Sequence, residues 1–234
     1  VDSTGVYVVG GYFTGLVGFP AGWYMEKLNL TDGTLIWSQV ALYSFAAARV
    51  NGVAADSTGF YVVGYAQIAP SGNAIEWIIE KRSLTTGAVI WNRQIDPSSE
   101  SETPNGVAVD STGVYVVGSE SAPFDEPGGY KWHMEKLNLT TGASLWTQTS
   151  DPSTDTDYAN GVAVDSSGVY VVGFDGTGSA GINYQWRMEK RSLGTGAPIW
   201  TQTSNPSGGG DRATGVAVDS TGVYVVGTES KDTS

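Results

Sequence analysis

The segment Asn105–Gly118, NGVAVDSTGVYVVG, recurs with small changes along this chain. Near-copies of it surround Asp2, Asp56, Asp165 and Asp219, so that the five aspartates, including the one inside the quoted segment, are 54, 54, 55 and 54 residues apart. A second signature, Trp-x-(Met/Ile)-Glu-Lys, and a later tryptophan recur at the same spacing and account for all 8 tryptophans. Self-similarity at a fixed period is the mark of a repeat protein. The chain therefore carries four repeats of about 54 residues and part of a fifth.

Each repeat contains four runs of strand-forming residues joined by short turns or longer loops. In the third repeat the runs are Gly106–Val109, Val114–Gly118, Trp132–Leu139 and Ser144–Thr149. The two short turns, Asp-Ser-Thr-Gly and Thr-Thr-Gly, each place a glycine where we expect a positive φ. The first two runs are apolar on both faces, which is typical of strands enclosed by neighbours. The fourth run mixes polar and apolar residues and predicts an outer edge.

This strand order is typical of a β-propeller blade, which runs from the central axis outward. We predict an all-β protein, a β-propeller of four-stranded antiparallel blades, with one surplus strand. The predicted blade units are 1–50, 51–104, 105–159 and 160–213, with 214–234 as a partial fifth copy. The surplus strand leaves three alternatives open: a piece of a longer array, a four-bladed ring with a spare strand, or pairing of the spare strand with a neighbouring subunit.

The repeat resembles the SBBP-type repeats, a family of bacterial and archaeal β-propeller repeats found in exported proteins. The family's Gly-Val-Ala-Val-Asp-Ser-Ser/Thr-Gly run, followed by Val-Tyr-Val-x-Gly, corresponds to Gly106–Gly118 and Gly161–Gly173. Its later strand and its Gly-x-x-x-Trp turn match Met134–Leu137 and Gly142–Trp146. The resemblance implies a propeller fold and an extracellular or cell-surface location, but no chemistry, since propellers host many functions.

A weaker likeness connects the chain to the quinone-cofactor (PQQ-type) dehydrogenase propellers, whose blades carry a Thr-Gly-x-x-x-Trp turn. Thr141–Trp146 and Thr195–Trp200 fit that pattern. Those enzymes place metal-binding and catalytic acids outside the repeat, and often a pair of adjacent cysteines over the cofactor. This sequence has no cysteine and no non-repeat segment for such a site. We interpret the likeness as shared blade architecture and predict no cofactor other than Ca²⁺.

Charge and composition narrow the range of partners. The formal net charge of −12 makes nucleic acid and anionic membranes poor partners, because like charges repel. The absence of cysteine excludes a disulfide framework, a thiolate metal site and a cysteine nucleophile. No run approaches the roughly 18 apolar residues of a membrane-spanning helix, so we expect no membrane insertion within this segment.

The longer loops of the repeats fall on one side of the predicted disc and differ between copies, whereas the short turns do not. Variable loops on a rigid scaffold are where recognition usually lies. This loop face is rich in acids and aromatic residues, which suit stacking on sugars and binding of hydroxyl groups. The predicted ligand-face residues are Tyr130, Tyr158, Tyr184, Glu120 and Asp125. The alternative is an ordinary solvated loop face.

The remaining candidates for chemistry are few. Asp151, Asp155 and Asp157 offer oxygen ligands at a spacing that Ca²⁺ tolerates, although the EF-hand pattern is missing. His133 is the only histidine, so neither a His-based zinc site nor a catalytic triad can be assembled, and we expect a tolerated variable position. The repeated Glu-Lys pair and the repeated turn aspartate predict structural roles, because an enzyme seldom needs four equal acids around a ring.

Asn29 and Asn138 lie in Asn-Leu-Thr sequons and are predicted glycosylation sites. The near-identity of the repeats favours a non-enzymatic, exported propeller that serves as a surface scaffold, adhesion or assembly module. Its expected partners are other copies, through strand-edge pairing, or surface glycans. The alternative is a glycan- or Ca²⁺-dependent binding propeller that uses the acidic loop face, and a fragment of a propeller enzyme is a remote third hypothesis.

Overall fold

The structure is a computed structural model that describes residues 1–13, 21–43, 47–67, 75–98, 102–121, 129–176 and 183–230. Within these residues it contains seventeen β-strands and no helix. The strands form five antiparallel sheets that follow one another along the chain.

The strands are grouped by sheet as follows. The first sheet has three strands: β1 (Val6–Phe13), β2 (Ala21–Leu28) and β3 (Leu35–Leu42). The second has four: β4 (Ala48–Asp56), β5 (Gly59–Gln67), β6 (Ile75–Arg82) and β7 (Val89–Ile95). The third has four: β8 (Thr103–Asp110), β9 (Gly113–Ser121), β10 (Tyr130–Leu137) and β11 (Ser144–Ser150). The fourth has four: β12 (Tyr158–Asp165), β13 (Gly168–Gly176), β14 (Tyr184–Arg191) and β15 (Pro198–Ser204). The last has two: β16 (Arg212–Val218) and β17 (Val223–Thr228).

Each complete sheet is a simple meander in which consecutive strands are hydrogen-bonded neighbours. The first strands of successive sheets, β4, β8, β12 and β16, contact one another and form the inner side of the array. The last strands, β7, β11 and β15, are outer edges with many exposed residues. Sheets arranged around their inner strands are propeller blades. The predicted all-β propeller with four repeats and one surplus strand is thus confirmed.

The innermost strand of a blade begins earlier than the sequence predicted. β8 starts at Thr103, so residues 103–104, which the predicted units assign to the second blade, belong to the third. The register between β8 and β9 shifts between Pro104 and Gly106, so Asn105 is a bulge that bends the strand without ending it. The Asn105 side chain donates from Nδ2 to Ala159 O in the next blade, at 2.9 Å. The bulge therefore fixes the position of the neighbouring inner strand.

The hydrophobic core lies between blades, in layers. In one layer Tyr115 and Val117 of β9 pack with Val169 and Val171 of β13, and all four side chains are buried. Equivalent residues of the second and third blades form the preceding layer. Each blade thus places one apolar face against the blade before it and the other against the blade after it, which is why β9 is apolar on both sides.

The two glycine turns have different physical requirements. Among the described residues, the glycines with positive φ are those of the second turn: Gly33, Gly87, Gly142 and Gly196, with φ between 69° and 71°. The prediction of a positive φ is wrong for the first turn, represented by Gly113. A Cβ there would lie 2.6 Å from Lys136 Cε and 3.0 Å from Leu137 O. Glycine is needed at this point because a lysine side chain passes directly over the backbone.

Candidate functional site

The repeated polar residues hold the blades together. The Asp110 carboxylate accepts hydrogen bonds at Oδ1 from Thr112 N (2.7 Å), Thr112 Oγ1 (2.8 Å) and Gly113 N (3.1 Å). The copies of Asp110 make the same bonds in the other repeats. This is the turn-stabilising role that the sequence predicted.

The lysine of the Glu-Lys motif bridges two blades. Lys136 Nζ donates to Thr112 Oγ1 at 2.9 Å in its own blade and to Leu193 O at 2.8 Å in the next. It also lies over the Tyr115 ring, 5.1 Å from the centroid. Trp146 Nε1 donates to the same Leu193 O at 3.2 Å. The first and second blades bind their successors in the same way, so this motif has the structural role expected of it.

Three predicted ligand-face tyrosines come together at one seam between blades. The Tyr130 and Tyr158 ring centroids are 4.8 Å apart, Tyr158 and Phe174 are 5.3 Å apart, and Phe174 and Tyr184 are 4.8 Å apart. The guanidinium of Arg212 lies 5.0 Å from the Phe174 centroid and 4.9 Å from that of Tyr184. We call these five residues the aromatic seam.

An open groove of about 610 Å³ adjoins the aromatic seam on the inner side of the array. Its lining residues are Tyr158, Phe174, Arg212, Thr214 and three asparagines at one repeat position, Asn51, Asn105 and Asn160. Each asparagine donates from Nδ2 to a carbonyl of the next inner strand, at 2.8 to 2.9 Å. Burial, and then the proximity of Tyr130, raise the pKa of Tyr158 well above its usual range. The Tyr158 phenol therefore stays neutral and can both donate and accept hydrogen bonds.

Sequence reasoning missed two members of the seam, Phe174 and Arg212. Arg212 opens an inner strand at the position that Arg49, Thr103 and Tyr158 hold in other blades. A comparison of this repeat position across the copies would have found Arg212. The position varies between copies, whereas the asparagine position two residues later is nearly constant. The contact itself joins two blades and has no signature within one repeat.

The other two predicted ligand-face residues, Glu120 and Asp125, do not belong to the aromatic seam. Glu120 is buried and its carboxylate binds Lys131 Nζ at 3.0 Å and His133 Nδ1. Burial alone would raise the pKa of Glu120, but the bonds from His133 and Lys131 outweigh it and lower the pKa below its usual value. Glu120 is thus held in a side-chain network within the third blade. Asp125 lies outside the described residues.

His133 is buried, at a position that varies between the repeats, as the sequence predicted. Its ring lies between Glu120 and Glu135, with Nε2 3.4 Å from Glu135 Oε1, and it meets the Trp77 ring edge-on at 5.0 Å. Burial lowers the pKa of His133, but the two carboxylates outweigh burial and raise it above the usual value. In the fourth blade Arg187 holds the same position between two acids. The sequence hid this pairing because the partners lie on neighbouring strands.

Asp157 belongs to a repeated hydrogen-bonded motif, which we call the loop latch. Its buried carboxylate accepts from Ser153 N (3.1 Å), Ser153 Oγ (2.8 Å) and Gly176 N (3.1 Å). Asp211 makes the matching bonds in the last sheet, and Glu102 accepts from its own serine in the third blade. Burial, opposed by these hydrogen bonds, raises the pKa of Asp157 to about 6.

The three predicted calcium ligands are not gathered into a metal site in the part of the chain that the structure describes. No group of three His, Cys, Asp or Glu side chains in that part is placed to hold a metal ion. Asp155 accepts a hydrogen bond from Thr156 N at 2.8 Å, and Asp157 forms the loop latch. Asp151 is exposed. Calcium binding by these residues stays a prediction.

Both sequon asparagines lie at the turn between the third and fourth strands of a blade. Asn138 Oδ1 accepts from Thr140 N at 2.9 Å and from Thr141 N at 3.0 Å, and Asn29 Oδ1 accepts from Thr31 N at 2.7 Å. Both asparagines are half-buried. Their glycosylation stays a prediction.

The chain is similar to some solved structures. No family model and no curated protein matches the chain. Solved structures that match include BamB from Moraxella catarrhalis, with 14% identity and a TM-score of 0.46 over 95% of this chain and 58% of that one. They also include the quinohemoprotein alcohol dehydrogenase ADHIIG from Pseudomonas putida HK5, with 14% identity and a TM-score of 0.49 over 84% of this chain and 36% of that one.

Both of these proteins are β-propellers, and at this identity the likeness concerns the fold alone. The chain spans about half of the first and about a third of the second. Membership of the exported SBBP-type repeat family stays a prediction, because no family model matches. In the described residues there is no helix of the length and apolarity needed to cross a membrane.

Proposed function

We propose that this protein is a non-enzymatic β-propeller scaffold that works outside the cell or at its surface, as an adhesion or assembly module. The observation that carries the proposal is the use of the repeated polar groups. Lys136 and Trp146 converge on one carbonyl of the next blade, and their copies in the first and second blades do the same. Groups that bind across a blade boundary support a rigid array and are poorly placed to act on a substrate.

The cellular location can be tested directly. Intact cells of the source organism are treated with a membrane-impermeant amine reagent, and the protein is then recovered and analysed for labelled lysines. We expect labelling without lysis, because the proposed scaffold works at the surface. Labelling only after lysis would contradict the extracellular function.

The absence of catalysis can be tested with one substitution. If a substrate screen finds turnover, Asp157→Ala shows whether this buried carboxyl, whose pKa is raised to about 6, takes part. We expect no turnover in the unmodified protein. Turnover that Asp157→Ala abolishes while the far-ultraviolet circular dichroism is unchanged would make this protein an enzyme.

A second function of the same module is supported by the aromatic seam. We propose that the groove beside it binds an oligosaccharide that bears a carboxylate. Ring faces such as Tyr158 suit stacking on sugars, and the Arg212 guanidinium suits bidentate binding of a carboxylate. The net negative charge of the chain repels an acidic ligand, so the binding of such a ligand requires a positive group such as Arg212 at the site.

Calorimetry with uronic-acid oligomers and neutral oligomers of the same length would test this function. We expect heat with the acidic oligomers, and a loss of at least tenfold in affinity in Arg212→Gln. Arg49→Gln is the matched control, since Arg49 has the same strand position three sheets before Arg212 and its loss changes the net charge equally. Equal losses in both variants, or no heat with any oligomer, would contradict the proposed site.

A further inference from the structure

A cluster of charged side chains lies at the boundary between the second and third blades. Glu120 on β9 and His133 and Glu135 on β10 are buried. Arg93 on β7 of the second blade reaches this group, with Nη2 3.7 Å from Glu135 Oε2. Lys131 Nζ lies 3.0 Å from Glu120 Oε1 on the other side. We call these five residues the blade-boundary cluster.

The neighbouring boundaries are joined by uncharged groups at the position of Arg93. Gln39 Nε2 of the first blade donates to Thr86 O of the second at 3.0 Å. Gln148 Nε2 of the third blade donates to Thr195 O of the fourth at 3.1 Å. The second blade has Arg93 at this repeat position, and its guanidinium approaches a buried carboxylate of the next blade instead. This boundary therefore depends on the balance of charge around it, and the other two do not depend on charge at this point.

The glutamate of the third blade also lacks the partner that two of its copies have. In the second and fourth blades an arginine two residues later donates from Nε to the glutamate at 2.7 Å, in the pairs Arg82–Glu80 and Arg191–Glu189. The third blade has Leu137 at that position. Glu135 Oε2 accepts no hydrogen bond from the described residues, and Oε1 lies 3.4 Å from His133 Nε2. Glu135 thus depends on a histidine where these copies depend on an arginine.

The two contacts of His133 require a hydrogen on each ring nitrogen. Nδ1 is hydrogen-bonded to Glu120 Oε2, and Nε2 faces Glu135 Oε1. An ionised carboxylate only accepts hydrogen bonds, so both contacts are favourable only for the protonated ring. A neutral imidazole has one N–H, and its other nitrogen would face a carboxylate oxygen as acceptor against acceptor. Arg187, which holds the same position between two acids in the fourth blade, keeps its charge at every physiological pH.

We propose that His133 makes the boundary between the second and third blades a pH-operated joint, which is closed while the imidazole is protonated and opens when it loses a proton. The loss leaves Glu120 bound to Lys131, but it leaves Glu135 with only Arg93, at 3.7 Å. A buried carboxylate without a hydrogen-bond donor is costly, and water that enters an opened boundary relieves that cost. Such a joint goes beyond the scaffold function, because it is independent of what the array binds and of where it works.

The surroundings of His133 leave it as the group that titrates near neutral pH. The charged groups that face it in the described part of the chain are the other four members of the blade-boundary cluster, on β7, β9 and β10. β6 contributes the Trp77 ring, which His133 meets edge-on at 5.0 Å, and β11 contributes the uncharged Thr149. Arginine and lysine side chains keep their charge across neutral pH, and carboxylates titrate well below it.

The direction of the pH dependence follows from the folded state. Burial lowers the pKa of His133, but the bonds to Glu120 and Glu135 outweigh it and raise the pKa above the usual 6.5. The closed boundary therefore holds this proton more tightly than an opened one does. The stabilising contribution of His133 is fully present below pH 6.5 and is lost as the pH rises through the raised pKa.

The reactivity of a single buried thiol on each of two boundaries tests the joint. Val116 lies in the layer between the second and third blades, and its copy Val171 lies in the layer between the third and fourth. Both are buried, and the chain has no cysteine of its own. Val116→Cys and Val171→Cys are therefore labelled with iodoacetamide in separate samples. The ratio of the two labelling rates removes the pH dependence of the thiol itself, which both variants share.

We expect this ratio to rise at least about fivefold between about pH 6.5 and about pH 9, because a buried acceptor loses its donor only at the first boundary. His133→Arg, made in both cysteine variants, copies the fourth blade and should keep the ratio low throughout. His133→Gln has an uncharged side chain at every pH and should keep the ratio high throughout. Circular dichroism checks that each variant folds, and the arginine variant decides the test if the glutamine variant does not fold.

A ratio that does not change with pH in the unmodified His133 background would overturn the joint. This result includes equal acceleration at both boundaries, which would show that the whole array loosens. A rise that persists in His133→Arg would also overturn it, because another group would then be responsible. Surface labelling and oligosaccharide calorimetry at a single pH do not depend on these outcomes, so failure of the joint is distinguishable from failure of the proposed function.

Discussion

The interior blades and the two end sheets share the strand sequence Tyr-Val-Val-Gly, but they differ in what covers it. Tyr115 is 1% exposed between two blades, whereas Tyr224, in an identical stretch of sequence, is 54% exposed. The difference shows that the repeat specifies a strand and a turn, while burial depends on the neighbouring blade. In repeat proteins, stability is approximately a sum of repeat terms and nearest-neighbour interface terms. Matched substitutions in the two regions can therefore separate the interface term from the repeat term.

The largest difference is expected for the buried tyrosine. Tyr115→Ala removes a ring from a closed layer of the core and should lower the free energy of unfolding by about 3 to 5 kcal/mol. Tyr224→Ala removes the same ring from an exposed position and should cost less than about 1 kcal/mol. Urea denaturation, followed by tryptophan fluorescence, measures both. Similar losses of stability at the two positions would mean that Tyr224 is covered in solution by a surface like the one that covers Tyr115.

The loop latch provides a second, smaller contrast that depends on pH. The pKa of Asp157 is raised to about 6 in the folded protein, above its ordinary value of 3.8. The folded state therefore binds this proton more tightly than the unfolded state does. The resulting stability is fully present below pH 3.8 and is lost as the pH rises through 6. The loss amounts to at most about 3 kcal/mol.

Asp157→Asn should remove that loss, so its stability should change less than that of the unmodified protein between pH 4 and pH 6. Asp211→Asn is the terminal control. Burial would raise the pKa of Asp211, but the bonds from Ser207 and Ser230 outweigh it and lower the pKa. His133, whose pKa is raised above its usual 6.5, loses its contribution only at higher pH and does not interfere. Identical pH profiles for Asp157→Asn and the unmodified protein would contradict the assignment.

The smallest contrast concerns a hydrogen bond between blades. Trp91 Nε1 donates to Leu139 O in the next blade at 3.2 Å, so Trp91→Phe should cost about 1 kcal/mol for the bond in addition to the smaller ring. Trp200 is the copy of Trp91 in the fourth blade, and the two-stranded final sheet has no turn between a third and a fourth strand to supply the matching acceptor. Trp200→Phe should therefore cost less than Trp91→Phe, and urea denaturation of the two variants measures the difference. Equal costs would contradict the contribution of the bond between blades.

Much of the fold could be predicted because each strand and turn of the repeat occurs several times in the sequence. The role of Asp110 followed from its place before a glycine turn, and the four strand runs followed from their apolar pattern. The prediction of a positive φ at Gly113 is wrong. Glycine is required there because of the Lys136 side chain, which lies on a strand that is distant in sequence. A local turn pattern does not reveal a side chain that crosses over it.

The candidate site was less accessible to sequence reasoning. The sequence predicts ligand-face roles for Tyr130, Tyr158 and Tyr184 from their place before predicted strands. It does not predict the stacking of Arg212 on Phe174, because that contact joins two blades. Contacts of this kind depend on the rotation between blades, which has no sequence signature. Single-copy residues have the further difficulty that no other repeat confirms their role.

The ten-residue segment VDSTGVYVVG, which lies within the repeat described first, occurs in identical form at Val1–Gly10, Val109–Gly118 and Val218–Gly227, and this identity has a consequence for the length of the array. Val109–Gly118 and Val218–Gly227 have the same sequence and form the same turn and second strand. A deletion of residues 119–227 would join Gly118 to Thr228, which is the junction already present after Gly227. Recombination between such copies would add or remove whole blades without creating a new junction. The array could thus be shortened or lengthened in units that the protein already folds.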